Sequence, residues 1–235
     1  MAQSAAFTDI NIHSPKTNDT SASIKYPVVV INNVAVASVI NKNIKKVLLD
    51  DNLVDTTINN TADALKQYAA GYLTDMDYTV TFNKNGILSL NVYLQVEGAY
   101  QWSYYCYFNF NLVTGESLSL SSIIKAAGYS AFRNTMLHYK QSGLKKSMQD
   151  TKKNLDSGYV DKDDYVFFLE RIKEEGCMDS VSLQKFSLSA NYIQVFNECG
   201  FPHAMRNIQP DYNLLFDIKK GRDMLNAEFF EKLSQ

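Results

Sequence analysis

The chain has 235 residues, of which 46% are hydrophobic, and its formal net charge is −2. This length suits one large domain or two small lobes, with enough apolar residues for a core. The near-neutral charge excludes the basic footprint of a nucleic-acid-binding protein, so we expect no nucleic-acid partner. We also predict no transmembrane segment, because the longest apolar run, residues 26–40, is interrupted by Asn32 and Asn33.

The first 24 residues are polar and irregular, which predicts a mobile N-terminal tail over residues 1–24. They contain neither the charged segment nor the apolar segment of a signal peptide. The small residues at positions 2–6 suit the mature end of an exported protein, although a cytosolic N-terminus fits as well. We expect the body, residues 25–235, to form one domain, or two lobes at residues 25–127 and 128–235.

A strand and two helices are predicted at the start of the body. Residues 25–31 form a β-branched run, and Pro27 suits a strand start or an edge position. Apolar residues then recur at helical spacing across residues 34–50, which predicts an amphipathic helix. Residues 63–72 predict a second, shorter helix that ends at Gly71.

Three consecutive segments with alternating polarity give the clearest β pattern, at residues 78–82, 87–96 and 100–112. Asn85-Gly86 predicts a tight turn between the first two, because both residue types tolerate positive φ. In the third segment the even positions are apolar, and they include Phe108, which we expect to be buried. The pattern predicts an antiparallel meander with one face on a core.

The remaining elements group helices and strands without a regular βαβ order. Helices are predicted at residues 123–127, 131–155, 165–175 and 222–233, and strands at residues 184–188, 192–196 and 213–218. This order indicates the α+β class, with one or more mostly antiparallel sheets and helices packed on one face.

The three cysteines lack CxxC spacing, and their odd number excludes a framework in which all are paired. Cys106 alternates with apolar residues on the third strand and is predicted to be a buried free thiol. Cys177 and Cys199 are able to form one disulfide in an exported protein, but the sequence leaves that pairing open.

Three segments together resemble a known family. They read YPVVVINNVAVASVINKNIKK, YFNFNLVTGESLSLSSII and FSLSANYIQVFNECGFPHAMRNIQPDYNLLF. They are similar to the exported domain family that occurs in the lysozyme-sensing anti-sigma factor RsiV and in the N-terminal region of PdaC-type peptidoglycan deacetylases. The resemblance covers about residues 25–233, and its middle segment is the most specific.

The resemblance implies an exported protein that lies outside the cytoplasmic membrane and acts by binding. One member of the family recognises lysozyme, and the deacetylase chemistry belongs to a separate domain. The expected function is therefore a non-catalytic domain that binds an envelope protein such as a lysozyme, or a peptidoglycan fragment. A cell-wall hydrolase with an unrecognised site and a structural module of an envelope assembly are the alternatives.

Tyrosines on the predicted meander are the candidate ligand-binding residues. Tyr105 and Tyr107 share the odd face of the third strand, and Tyr93 on the second strand is able to lie opposite them. If this face is exposed, the three rings make a platform suited to protein or glycan contact. If helices cover it, the rings belong to the core.

No set of residues matches a known catalytic or metal-binding pattern. Cys199 and His203 have the spacing of half a metal site, or of a nucleophile with its base, but Pro202 breaks the helical arrangement that such a pair would need. A loop histidine bonded to the backbone is the favoured interpretation. We therefore expect no enzymatic activity, no bound metal and no cofactor.

Overall fold

The structure is a computed structural model that describes residues 3–15, 23–52, 58–173, 177–201, 210 and 213–234. Within these ranges the chain forms two sheets and six α-helices. The strands are β1 (Ala6–His13), β2 (Ser23–Val30), β3 (Leu73–Lys84), β4 (Ile87–Glu97), β5 (Gln101–Asn111), β6 (Phe186–Leu188), β7 (Tyr192–Phe196) and β8 (Asn213–Asp217). The helices are α1 (Val34–Lys45), α2 (Thr61–Gly71), α3 (Leu120–Ile123), α4 (Tyr129–Asp156), α5 (Lys162–Lys173) and α6 (Ala227–Ser234).

The large sheet contains five strands in the order β1-β2-β3-β4-β5, and the small sheet contains β6, β7 and β8 in that order. Every pairing is antiparallel except that of β2 with β3, which is parallel through a single residue pair. Grouped antiparallel strands with packed helices define an α+β fold, as the sequence predicts.

The predicted meander is confirmed. β3, β4 and β5 follow one another in the chain and pair antiparallel, although β3 and β5 both differ from the predicted bounds. In the turn between β3 and β4, Asn85 has a φ of 55° and Gly86 a φ of 76°. Two consecutive positive φ values match the twist of a two-residue hairpin, which explains why this dipeptide occupies the turn.

The N-terminal segment differs from the prediction. Residues 6–13 do not form an irregular tail, because β1 pairs with β2 along its whole length, from Ala6 opposite Val30 to His13 opposite Ser23. The segment FTDINIH mixes polar and apolar residues, so its composition alone does not indicate a strand. Its partner strand, and not its own composition, determines its structure.

Two predicted helices are interrupted. In the segment 34–50, the regular α-helix α1 ends at Lys45. A π-helical turn, Lys46–Asp50, follows it and completes the segment. The predicted helix at residues 222–233 is a 3₁₀ turn, Arg222–Met224, followed by α6. Leu225 separates the two parts because its backbone is extended and forms a bridge with Ile124.

The hydrophobic core is divided into clusters that cross the predicted lobe boundary. One cluster joins α1 and α2 to the even-numbered residues of β4, such as Leu90 and Val92. A second combines Phe82 and Ile87 of the large sheet with residues beyond position 128, including Phe132. The segments 25–127 and 128–235 therefore share a core.

The small sheet packs on the opposite face of β4 and β5. There the amide of Asn109 donates to the backbone oxygen of Phe186 at 2.8 Å, and the Ser89 hydroxyl accepts from the backbone N–H of Leu188 at 2.9 Å. Ser89 and Asn109 are polar and buried. Their hydrogen bonds to the backbone of β6 offset the cost of burying polar groups. These bonds place β7 beside the remaining part of β5.

In the part of the chain that the structure describes, no helix combines the length and the apolar character needed to cross a membrane.

Candidate binding site

A row of aromatic rings runs along one face of the large sheet. Tyr93 lies directly opposite Tyr105 in the β4–β5 register, and their ring centroids are 5.4 Å apart. The row continues from Tyr105 to Tyr107 at 6.3 Å, and from Tyr107 to Phe196 of β7 at 4.0 Å with nearly parallel rings. We call these four residues the aromatic row, and it brings the three tyrosines proposed from the sequence together.

The aromatic row is only partly covered. The Tyr105 side chain is 51% exposed, while Tyr93, Tyr107 and Phe196 are half-buried. None of the four belongs to a core cluster of the described residues. The face is therefore neither fully exposed nor part of the core. Tyr105, Tyr107 and Phe196 line a cleft between the two sheets, and Tyr93 lies beside it.

The cleft has a volume of about 830 Å³, within the usual range of about 300–1,000 Å³ for ligand-binding pockets. One wall is the outer part of β5, from Ser103 to Tyr107, and the other is the end of β7 with the residues that follow it. Polar side chains surround the aromatic row in the described lining, namely Asn91, Ser103, Lys185, Gln194, Asn197, Glu198 and Asn213.

Three of these polar side chains have hydrogen-bond or ion-pair partners. The Asn197 amide oxygen accepts from Lys140 Nζ at 3.3 Å and from the Ser182 backbone N–H at 3.2 Å. Lys185 and Glu198 form an ion pair at 3.8 Å, and both side chains are more than half exposed, so the pair adds little to stability.

Asn91 differs from them. Its side-chain oxygen is buried and has no hydrogen-bond partner among the described residues, although the residue lines the cleft. A buried acceptor without a partner is unfavourable, so this oxygen is a candidate to accept a hydrogen bond from a ligand.

The opposite face of β5 meets the helices. The Tyr104 hydroxyl lies 3.4 Å from that of Tyr68 on α2, and burial raises the pKa of both hydroxyls above the ordinary value for tyrosine. Burial also raises the pKa of Cys106 to about 11, although the charge of Lys185 opposes the shift. Cys106 is a free cysteine, and it is half-buried where the sequence predicted a buried one.

Cys177 and Cys199 form a disulfide bond, with their Cα atoms 5.5 Å apart. Both cysteines pack in a small cluster with Phe168 and Ile172 of α5. Gly200 and Phe201, which follow Cys199 directly, line the cleft. The disulfide therefore anchors one wall of the cleft to the end of α5. His203, considered above as a partner of Cys199, lies outside the described residues.

Reasoning from the sequence missed the contribution of β7 to the site. Alternation in β7 buries Ile193 and Val195 and turns Gln194 and Phe196 to the opposite face. The alternating pattern of β7 therefore predicts that Phe196 faces away from the core of the small sheet. It does not predict the docking of β7 beside β5, which depends on the Ser89 and Asn109 hydrogen bonds.

Metal-binding and acidic groups are sparse in the described residues. These residues contain no group of three histidine, cysteine or acidic side chains that is able to hold a metal ion. Glu198 is the one carboxylate in the described lining of the cleft, whereas glycoside hydrolysis ordinarily uses a pair. The arrangement of rings and amides suits recognition.

Comparisons with known proteins agree on the fold. The chain is similar to the crystal structure of a DUF3298 family member from Bacteroides fragilis, with a TM-score of 0.57, 11% identity, and coverage of 99% of this chain and 96% of that one. It is equally similar to a DUF3298 family protein from Pseudomonas aeruginosa, with a TM-score of 0.56, 11% identity, and coverage of 97% and 96%. No protein-family profile matches the sequence, and no curated protein matches it either. At this identity the two structures establish a shared fold.

Proposed function

We propose that the chain is a non-catalytic binding domain of the cell envelope, and that the aromatic row recognises its ligand. The observation that carries the proposal is the partly exposed set of Tyr93, Tyr105 and Tyr107 beside a polar cleft. Aromatic side chains supply large contact areas at a small cost in side-chain entropy, and they dominate binding energy at many interfaces.

Two features support a location outside the cytoplasmic membrane. The segments quoted above resemble the exported family of RsiV and PdaC-type deacetylases, in which one member recognises lysozyme. The Cys177–Cys199 disulfide is in keeping with an oxidising compartment, because disulfides persist outside the cytoplasm and are rare within it. The ligand classes that follow are a lysozyme-like protein and a peptidoglycan fragment.

The shape and chemistry of the cleft fit both classes. Rings spaced between 4.0 and 6.3 Å provide flat apolar surface for a sugar face or for protein side chains. The unpartnered oxygen of Asn91 and the amide of Gln194 provide hydrogen-bonding groups beside that surface.

The test is a pair of binding assays on the immobilised chain, one with lysozyme and one with soluble muropeptides. We expect saturable binding of at least one ligand, and we expect muropeptides recovered from the assay to be intact. If the chain binds neither lysozyme nor muropeptides, the proposed function is wrong. Cleaved muropeptides would instead identify a hydrolase.

A further inference from the structure

We infer that the outer edge of β5 binds an extended peptide segment of a partner protein, which adds to the large sheet as a sixth strand. This inference rests on the proposed function and commits it to one ligand class, a protein. It concerns the part of β5 that no other described strand pairs with beyond β4, residues 103–105, which we call the open edge of β5.

The direction of the backbone groups at this edge follows from bonds further along the strand. The N–H of Leu118 donates to the Asn109 oxygen at 2.7 Å, and the N–H of Asn111 donates to the Glu116 oxygen at 2.9 Å. Odd-numbered residues of β5 therefore direct their N–H and C=O groups away from β4. Because this direction alternates along an antiparallel strand, Ser103 and Tyr105 do the same.

The chain itself already uses part of this edge as a template. Residues 116–118 lie antiparallel to the end of β5, and Ser117 forms a bridge with Phe110. The chain then turns away into α3 at Leu120. A strand placed beside Ser103 and Tyr105 would lie along β5 in the same direction as residues 116–118. Both Ser103 and Tyr105 are exposed.

Within the described residues, β5 itself lacks devices that normally prevent strand addition. Proteins protect sheet edges with charged residues, prolines or bulges. β5 contains neither a charged residue nor a proline along its eleven residues, and its pairing with β4 shows no bulge. The opposite edge strand of the same sheet, β1, carries Asp9.

The cleft has the right position for one added strand. A paired strand lies about 4.8 Å from its neighbour. The consecutive residues 103–105 of β5 line the cleft together with Gln194, Phe196 and Glu198. Main-chain bonds to Ser103 and Tyr105 would give affinity, since a residue directly opposite each can exchange two hydrogen bonds with it. Specificity would come from a β-branched or aromatic residue opposite Tyr105, because such cross-strand pairs are favourable.

A proline substitution separates main-chain recognition from side-chain recognition. Ser103→Pro removes an N–H that points away from β4, so the pairing of β4 with β5 keeps all its bonds, and proline is tolerated at such edge positions. Ser103→Ala is the matched control, because it removes the hydroxyl and keeps the N–H.

The experiment selects linear peptides from a random displayed library on the immobilised full chain, and then measures the affinity of the selected peptide for each variant. We expect Ser103→Pro to weaken binding by about tenfold or more, and Ser103→Ala to stay within about twofold of the unsubstituted chain. Hydrogen exchange on the unsubstituted chain provides a second measurement, which holds even if Ser103→Pro does not fold. We expect the peptide to slow exchange at the amides of Ser103 and Tyr105.

Four outcomes would overturn the inference. Equal affinity for the proline variant, in folded form, shows that the edge is not used, and so does unchanged exchange at both amides. Muropeptide binding without any selected peptide leaves the proposed function standing and makes strand addition wrong. If the chain binds neither lysozyme nor muropeptide nor any peptide, both the proposed function and the strand-addition inference are wrong.

Discussion

The two ends of β5 belong to one continuous strand, yet their surroundings differ. Residues 108–110 are buried, with the helices packed on the even side and β6 bonded on the odd side, whereas residues 101–103 and 105 are exposed. Both ends have alternating aromatic and polar residues. What distinguishes them is the coverage supplied by distant parts of the chain, so a similar pattern serves the core at one end and a candidate binding surface at the other.

The largest effect is expected at the covered end. Phe108 is 6% exposed and its ring stacks near that of Phe110 at 6.1 Å. We predict that Phe108→Ala lowers the free energy of unfolding by about 3–5 kcal/mol, because truncation leaves a cavity in the core. Denaturant unfolding measures this directly, and a loss below about 1 kcal/mol would mean that the two ends do not differ in the way described.

An intermediate effect is expected at Tyr107, where the two ends meet. Its ring stacks on Phe196 at 4.0 Å and so joins the large sheet to the small one. We predict that Tyr107→Ala lowers the free energy of unfolding by about 1 kcal/mol and also weakens ligand binding. Phe196→Ala is the matched partner, and the double variant should lose less than the sum of both. Strict additivity would show that the stack does not couple the sheets.

The effect expected at Cys106 depends on pH and is absent at neutral pH. The ordinary pKa of the thiol is 9.0, and burial raises the pKa of Cys106 to about 11. The folded chain therefore holds this proton more tightly than the unfolded chain, so the contribution is absent below pH 9 and lowers stability as the pH rises from about 9 to 11.

Alkylation of Cys106 measures that pKa, because the thiolate is the reactive form. With the Cys177–Cys199 disulfide intact, the rate should rise with a midpoint near pH 11 in the folded chain, compared with 9.0 for an ordinary thiol in urea. A folded midpoint at or below 9.0 would place Cys106 in the same solvent-exposed surroundings as Tyr105.

Much of the large sheet could be predicted from local patterns. Alternating polarity and the Asn85-Gly86 turn determine the order and direction of β3, β4 and β5, and the period of two assigns Tyr105 and Tyr107 to one face. β1 could not be predicted, because its stability comes from pairing with β2. The cleft could not be predicted either, since it requires the docking of β6 through Ser89 and Asn109, which are polar residues with no distinctive local pattern.

The most direct test of the open end as a binding surface is a titration of the Tyr105→Ala variant with whichever of lysozyme and muropeptide the unsubstituted chain binds. Tyr159→Ala is the matched control, because that tyrosine is 86% exposed and lies in the turn after α4, outside the described lining of the cleft. We predict that Tyr105→Ala weakens binding by about tenfold or more, or about 1.4 kcal/mol, and changes the free energy of unfolding by less than about 0.5 kcal/mol. Unchanged affinity in the Tyr105 variant, or an equal loss in the Tyr159 control, would contradict the account.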